Sequence, residues 1–156
     1  MQTVRRVVSV IVHNEASALS RITDLFSARG YNIESLTVAP IPESRYSRLT
    51  IVTAGSVRVI EQIIKQLHKL IPVLRVYEHE DLVEKEMALV KIPMSESFSD
   101  VEALCGAYNG KIVNVGKEVL IVMVADEPKR VSNFLSAVKR FHPKEIVRSG
   151  AVALER

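Results

Sequence analysis

Apolar and polar residues follow one another along the first half of the chain in an order that predicts six elements. Runs rich in β-branched residues indicate strands, and apolar residues three and four positions apart indicate helices. The expected order is strand 5–12, helix 18–29, strand 33–39, strand 48–54, helix 57–70 and strand 73–78. Ser17 stands at the N-cap position of the first helix and Gly30 at its left-handed C-terminal cap. Leu19, Ile22, Leu25 and Phe26 form the apolar stripe of that helix.

The second half repeats the same order of elements at a spacing of about 80 residues. A capping box, Ser99-x-x-Glu102, opens its first helix, and Asp126, followed by Pro128, opens its second. The expected strands are 86–92, 111–115, 119–125 and 146–154. The charged stretch 78–86 predicts a linker, which gives domains 1–80 and 81–156.

Each half therefore predicts a β-α-β-β-α-β unit. Right-handed crossovers place both helices on one face of a four-stranded antiparallel sheet. The predicted fold class is α+β, with two tandem ferredoxin-like domains. Such a small domain leaves its other sheet face open, so the apolar strands predict a covering partner, most simply a homodimer.

Composition narrows the class of protein. Hydrophobic residues make up 47% and charged residues 25%, which favours a packed soluble core over disorder. No apolar run reaches the roughly 18 residues of a membrane span, no signal peptide pattern opens the sequence, and a lone cysteine excludes an intramolecular disulfide. We therefore expect a cytoplasmic protein that does not bind membranes. The net charge of +3 is dispersed and aromatic residues are only 5%, so nucleic acid is not an expected partner.

Known catalytic and metal-binding motifs are not found. Neither a nucleophile elbow, a phosphate-binding loop nor a zinc-binding helix motif occurs in the sequence. Cys105 lies on an apolar helix stripe, which indicates a core thiol rather than a nucleophile. His79, Glu80 and Asp81 could hold a metal ion, but a solvated linker is the favoured interpretation. We expect no catalytic residue and no metal site.

The turn from His13 to Ser17 is the best candidate for chemistry. It lies at the N-terminus of the first helix, where exposed N–H groups and the helix dipole suit a carboxylate. Asn14 adds an amide, and Asn32, at the start of the second strand, is expected beside the turn. Such groups suit an amino acid zwitterion, although Asn14 and Asn32 as ordinary turn residues remain an open alternative.

The same residues carry a resemblance. Residues 13–22 and 25–40, together with 47–51, 61–70, 73–76, 86–92 and 148–150, closely resemble the small regulatory subunit of acetohydroxyacid synthase, also called acetolactate synthase. The resemblance spans essentially the whole chain, is dense over 5–77 and is looser after Pro93.

The resemblance implies that the first half is an ACT domain, which pairs across a dimer and binds valine or another branched-chain amino acid in the interface. The positions that match the family's effector site are Asn14, Ser17, Ala18, Asn32 and Ile33. Asn14 and the backbone amides of Ser17 and Ala18 would hold the carboxylate of the amino acid. Asn32 and the backbone at Ile33 of the paired subunit would hold its ammonium group. The family usually has glycine at position 17.

The resemblance also implies a partner, the catalytic large subunit, which carries thiamine diphosphate, FAD and magnesium. It further implies that this chain activates the large subunit and mediates its feedback inhibition. Three other readings stay open. An amino-acid-sensing ACT module could serve a different partner. An RRM-like RNA-binding domain would need aromatic residues on strands 5–12 and 48–54, and an acylphosphatase would need an arginine in the first turn; neither occurs.

Overall fold

The computed structural model describes residues 2–156, which fall into two compact units. One unit holds the chain up to Val83 together with Ala151–Arg156, and the other holds Glu84–Gly150. The C-terminal residues thus group with the first unit, whereas the sequence analysis assigns them to the second domain. Met1, which belongs to the expected first domain, lies outside the described residues.

The first unit has the expected order of elements. They are β1 (Val4–His13), α1 (Ala18–Arg29), β2 (Ile33–Pro40), β3 (Tyr46–Gly55), α2 (Val57–His68) and β4 (Val73–Glu78). The strands form one antiparallel sheet in the order β2-β3-β1-β4. This order confirms the ferredoxin-like prediction.

The core of the first unit lies between the sheet and the two helices. It is formed by alternate residues of β1 and β3 and by one face of each helix: Val8, Val10, Val12, Leu49, Ile51, Ala18, Ile22, Phe26, Ile60, Ile63 and Leu67. Leu19, expected in the stripe of α1, is instead 40% exposed. Residues four positions apart share a helix face, so Ala18, Ile22 and Phe26 form the buried ridge and Leu19 is rotated away from it.

The opposite face of this sheet, called the open face below, is partly covered by the chain itself. Val7 and Val52 form a buried cluster with Ala151 and Ala153 of the C-terminal segment. Around Val7 and Val52, the C-terminal segment of the same chain therefore covers the open face, where a partner was expected.

The second unit repeats the topology. The remaining elements are β5 (Leu82–Pro93), α3 (Phe98–Ala107), β6 (Lys111–Val115), β7 (Val119–Asp126), α4 (Pro128–Val138), a 3-10 helix (Lys139–Phe141), β8 (Glu145–Arg148) and β9 (Val152–Glu155), of which β9 belongs to the first unit. The sheet order is β6-β7-β5-β8, the same as in the first unit, and β9 pairs with β5. The single expected strand 146–154 is thus wrong, because Ser149 and Gly150 divide it into β8 and β9.

The expected linker 78–86 is also wrong over much of its length, because β5 begins at Leu82. Its charged residues are accommodated in the strand by ion pairs. Glu86 is buried and pairs with Arg148, and Lys85 Nζ lies 3.1 Å from Asp126 Oδ1. Charged side chains in a strand are tolerated when such partners meet them.

The helices of the second unit begin at other residues than expected. Ser97, not Ser99, is the N-cap of α3, and its Oγ accepts a hydrogen bond from Asp100 N at 3.4 Å. Ser97 and Asp100 are three residues apart, as are Ser99 and Glu102 of the predicted capping box, but the observed cap begins two residues earlier. Glu127 is the N-cap of α4, with Pro128 in the first turn. Cys105 is 3% exposed, which confirms a core thiol, and burial, with a smaller effect of Glu102, raises its pKa.

Asp126 anchors one end of the second sheet. Its carboxylate accepts hydrogen bonds from Glu127 N at 2.8 Å, Arg130 Nε at 2.8 Å and Lys85 Nζ at 3.1 Å. The backbone hydrogen bond from Glu127, followed by those from Arg130 and Lys85, holds the pKa of Asp126 well below its usual range. Because the folded pKa lies below the unfolded value of about 3.9, the stabilisation is present at neutral pH and declines as the pH falls below about 4.

Asp126→Asn should therefore destabilise the protein at neutral pH by about 1–2 kcal/mol, since the exposed Lys85 and Arg130 are screened by solvent. It should also flatten the loss of stability between about pH 5 and pH 2. Urea unfolding at several pH values measures both effects. Asp24→Asn, on the exposed side of α1, makes the same change of charge. Equal acid sensitivity of the two variants would contradict the role of Asp126.

Candidate functional site

Two loops meet at the end of the first sheet where β1 ends. The β1–α1 turn, 14–17, follows His13, and the β2–β3 loop, 41–45, precedes Tyr46. His13 and Tyr46 are paired in the sheet register, and their ring centroids are 5.1 Å apart. Antiparallel pairing therefore places both loops side by side.

Asn14 is exposed at this junction and is fixed by the neighbouring loop. Its backbone N–H donates to Arg45 O at 2.9 Å, and its Oδ1 accepts from Ser47 Oγ at 3.3 Å. Within residues 2–156 no acceptor binds the side-chain amide nitrogen of Asn14, which leaves two donors for a ligand oxygen.

Ser17 and Ala18 form the first turn of α1. Ser17 occupies the N-cap position, as expected, but its side chain makes no capping hydrogen bond. Its backbone N–H has no acceptor among the described residues, whereas Ala18 N–H donates to Glu15 O at 3.2 Å. One free backbone donor, Ser17 N–H, is thus available for a carboxylate. The φ of −87° at Ser17 shows that the backbone here does not require glycine.

Asn32 and Ile33 lie at the other end of the sheet, so the expectation that Asn32 lies beside the turn of the same chain is wrong. Ile33 pairs with Thr53, and Thr53 in turn pairs with Arg6 near the start of β1. Thr53 Oγ1 donates to Asn32 O at 2.5 Å. Because α1 carries the chain back along the sheet, Asn32 is separated from Asn14 by roughly 25 Å, the length of about eight strand residues.

The β2–β3 loop contributes residues that the sequence analysis missed. Glu43, Ser44, Arg45 and Tyr46 line an open depression of ≈ 580 Å³. Glu43 has a left-handed backbone with φ 57°. The predicted β2–β3 hairpin could have identified them, since its loop must lie at the end of the sheet where β1 ends.

His79 is not the solvated linker residue that the sequence predicted. It is 6% exposed, and its Nε2 lies 2.6 Å from Ser9 Oγ. Burial lowers its pKa, while Glu155 acts to raise it and Arg48 to lower it. Within the described residues, no three His, Cys, Asp or Glu side chains are grouped as metal ligands, and no helix is long and apolar enough to cross a membrane.

Comparisons with known proteins match both halves of the chain. Residues 8–75 match the small subunit-like ACT domain of AHAS, and residues 85–156 match the small subunit of acetolactate synthase. The acetolactate synthase isozyme 3 small subunits of Escherichia coli and Salmonella typhimurium are 45% and 44% identical to it over 156 residues. Each alignment covers 97% of this chain and 96% of the relative.

A solved structure agrees. The crystal structure of the acetolactate synthase small subunit from Thermotoga maritima superposes with a TM-score of 0.91 at 34% identity, covering 98% of both chains. The fold, the two family matches and the full-length relatives agree with one another. The chain therefore belongs to the acetolactate synthase small subunit family and carries an ACT-like domain, which supports a regulatory role in the synthase.

Proposed function

We propose that this chain senses valine, or another branched-chain amino acid, and thereby controls the catalytic large subunit of acetolactate synthase. In this proposal it activates that subunit and mediates feedback inhibition when the amino acid is bound. Thiamine diphosphate, FAD and magnesium sit on the large subunit, and both subunits work in the cytoplasm. The observation that carries the proposal is the turn at Asn14, which contains both an oriented side-chain amide and, at Ser17, a free backbone donor.

The donors at this turn suit the carboxylate of an amino acid. Asn14 is held by Ser47 and Arg45, so its amide loses little conformational freedom on binding. Ser17 N–H lies at the N-terminus of α1, where the helix dipole favours an anion.

A second copy of the chain would complete the site. β2 is an edge strand and runs parallel to β1, since both are antiparallel to β3. A two-fold axis that pairs two β2 edges antiparallel brings the start of one β2 to the end of the other. Asn32 and Ile33 of the partner subunit would then approach Asn14 and Ser17, and could bind the ammonium group.

Mixed dimers test this arrangement. Asn14→Ala and Asn32→Ala should each weaken valine binding so far that calorimetry detects none at concentrations that saturate the wild type. After the two variants are unfolded and refolded together, about a quarter of the wild-type sites should return, because half of the dimers are mixed and each has one intact site. Recovery of no sites, although cross-linking shows mixed dimers, would contradict a site shared between copies.

Ser17→Gly tests how closely the ligand approaches the backbone. Because the hydroxyl of Ser17 makes no capping bond, its loss should cost less than about 1 kcal/mol of stability. Valine affinity should rise several-fold, since the Cβ no longer narrows the approach to the N–H group. Calorimetry and thermal unfolding measure the two effects. Weaker binding would show that the ligand uses the hydroxyl instead.

The alternative of an ACT module for a different partner differs only in what it regulates. Capture of the purified large subunit by the chain distinguishes the two. An RNA-binding role is disfavoured because the open-face residues in the middle of β1 and β3 include no aromatic side chain: Val7, Ser9, Ile11, Arg48, Thr50 and Val52. Tyr46 shares this face, but it lies at the end of β3 and its ring packs on His13.

A further inference from the structure

Polar side chains are concentrated on the open face of the first sheet, away from the helices. The sheet register puts Thr37, Thr50, Ser9 and Tyr77 in one row across the four strands. The adjacent row contains Arg48 on β3, and Ser35 lies two residues from Thr37 on β2. With His79 these residues form what we call the polar cluster: Ser9, Ser35, Thr37, Arg48, Thr50 and His79.

The polar cluster is half-buried at Ser35, Thr37 and Arg48, buried at its other residues, and incompletely hydrogen-bonded. Ser9, Thr50 and His79 are 0%, 3% and 6% exposed. Buried side-chain atoms without a hydrogen-bond partner are Ser35 Oγ, Thr37 Oγ1, Arg48 Nε and His79 Nδ1. Native proteins rarely leave such atoms unpaired, so their concentration on one face indicates that a ligand or ordered water binds them.

Arg48 distinguishes between these two explanations. Several other arginines of the chain pair with carboxylates, as Arg6 does with Glu78 and Arg156 with Asp81. No described residue gives the half-buried Arg48 a hydrogen bond or an ion pair. Water can satisfy hydroxyl groups, but it does not neutralise a guanidinium group that is partly withdrawn from solvent. Its planar donors match an oxyanion best.

We propose that the polar cluster binds a small oxyanion, a phosphate or a carboxylate, at Arg48 with the hydroxyl of Thr37 as a further donor. In the register, Thr37 lies opposite Thr50, two residues along β3 from Arg48. At a strand spacing of about 4.8 Å, the Thr37 hydroxyl and the guanidinium group can reach one anion. The Ser9–His79 pair adds polarity at the far side of the face, with Glu155 acting on His79.

Phosphate titration of the full chain tests the proposal. Inorganic phosphate is followed by phosphorus NMR at constant ionic strength, and a parallel titration with acetate distinguishes phosphate from carboxylate. We expect saturable binding of at least one anion, weakened at least about tenfold by Arg48→Gln. Thr37→Val, which keeps the charge and the shape, should weaken it about threefold and serves if Arg48→Gln does not fold.

Two controls locate the effect. Arg58→Gln makes the same charge change at an exposed position of α2, and Asn14→Ala alters the proposed effector turn. Both should bind the anion as the wild type does, so failure of the effector site and failure of this site are distinguishable. Absence of saturable binding by either anion, or equal binding by Arg48→Gln and Arg58→Gln, would overturn the proposal in favour of ordered water alone.

Discussion

Asn14→Ala is expected to weaken strongly the feedback inhibition of the assembled synthase by valine while leaving its activation by this chain intact. The variant loses the amide that Ser47 and Arg45 orient. A hydrogen bond to a charged ligand is worth about 1.5–3 kcal/mol, so the concentration of valine needed for half-inhibition should rise roughly 10–100-fold. Activity assays with the large subunit, with and without valine, measure this shift.

The matched control for this variant is Asn133→Ala. Asn133 is exposed on α4, and its replacement should leave valine inhibition unchanged. If Asn14→Ala retains full inhibition, the effector does not bind at the β1–α1 turn. If activation is lost as well, Asn14 supports assembly with the large subunit rather than effector binding alone.

Phe26→Ala is expected to have the largest effect on stability. Its side chain is 2% exposed in the core of the first unit, and its ring lies 5.9 Å from Tyr31 in an edge-to-face arrangement. Truncation of a buried phenylalanine costs about 3–5 kcal/mol, because a cavity replaces its packing contacts. Since whole domains are stable by only about 5–15 kcal/mol, the first unit should become marginal. Denaturant unfolding measures the loss.

Leu19→Ala, on the same helix, is the control. Leu19 is 40% exposed, so its truncation should cost less than about 1 kcal/mol. The two variants also test which residues of α1 face the core, since the sequence pattern placed both Leu19 and Phe26 in the apolar stripe. Similar losses for the two variants would show that Leu19 is buried in solution, for example against a second copy of the chain.

Local patterns were sufficient to predict most of the fold. α1, β4 and β6 have the predicted bounds, and Gly30 takes the left-handed cap with φ 66°. These features depend on neighbours within a few residues, such as the apolar ridge of α1. Both sheet orders follow from the order of elements and the handedness of their crossovers.

The errors concern features that depend on distant residues. The charges at the start of β5 predict a linker because their partners, Arg148 and Asp126, are distant in the sequence. The sequence around His79 predicts a solvent-exposed residue, because the hydrogen bond that buries its ring comes from Ser9, seventy positions away on β1. The position of Asn32 depends on the direction in which α1 returns the chain. None of these contacts has a signal in the local pattern.

The most direct test of the central claim is a titration of the purified large subunit with this chain, with acetolactate formation measured in the presence and absence of L-valine. We expect that the chain raises the activity until the subunits are saturated, and that valine, at a concentration that inhibits the wild type, then lowers it in the wild type but not in Asn14→Ala. Activity that does not respond to the chain at any ratio would contradict the proposed control of the catalytic subunit.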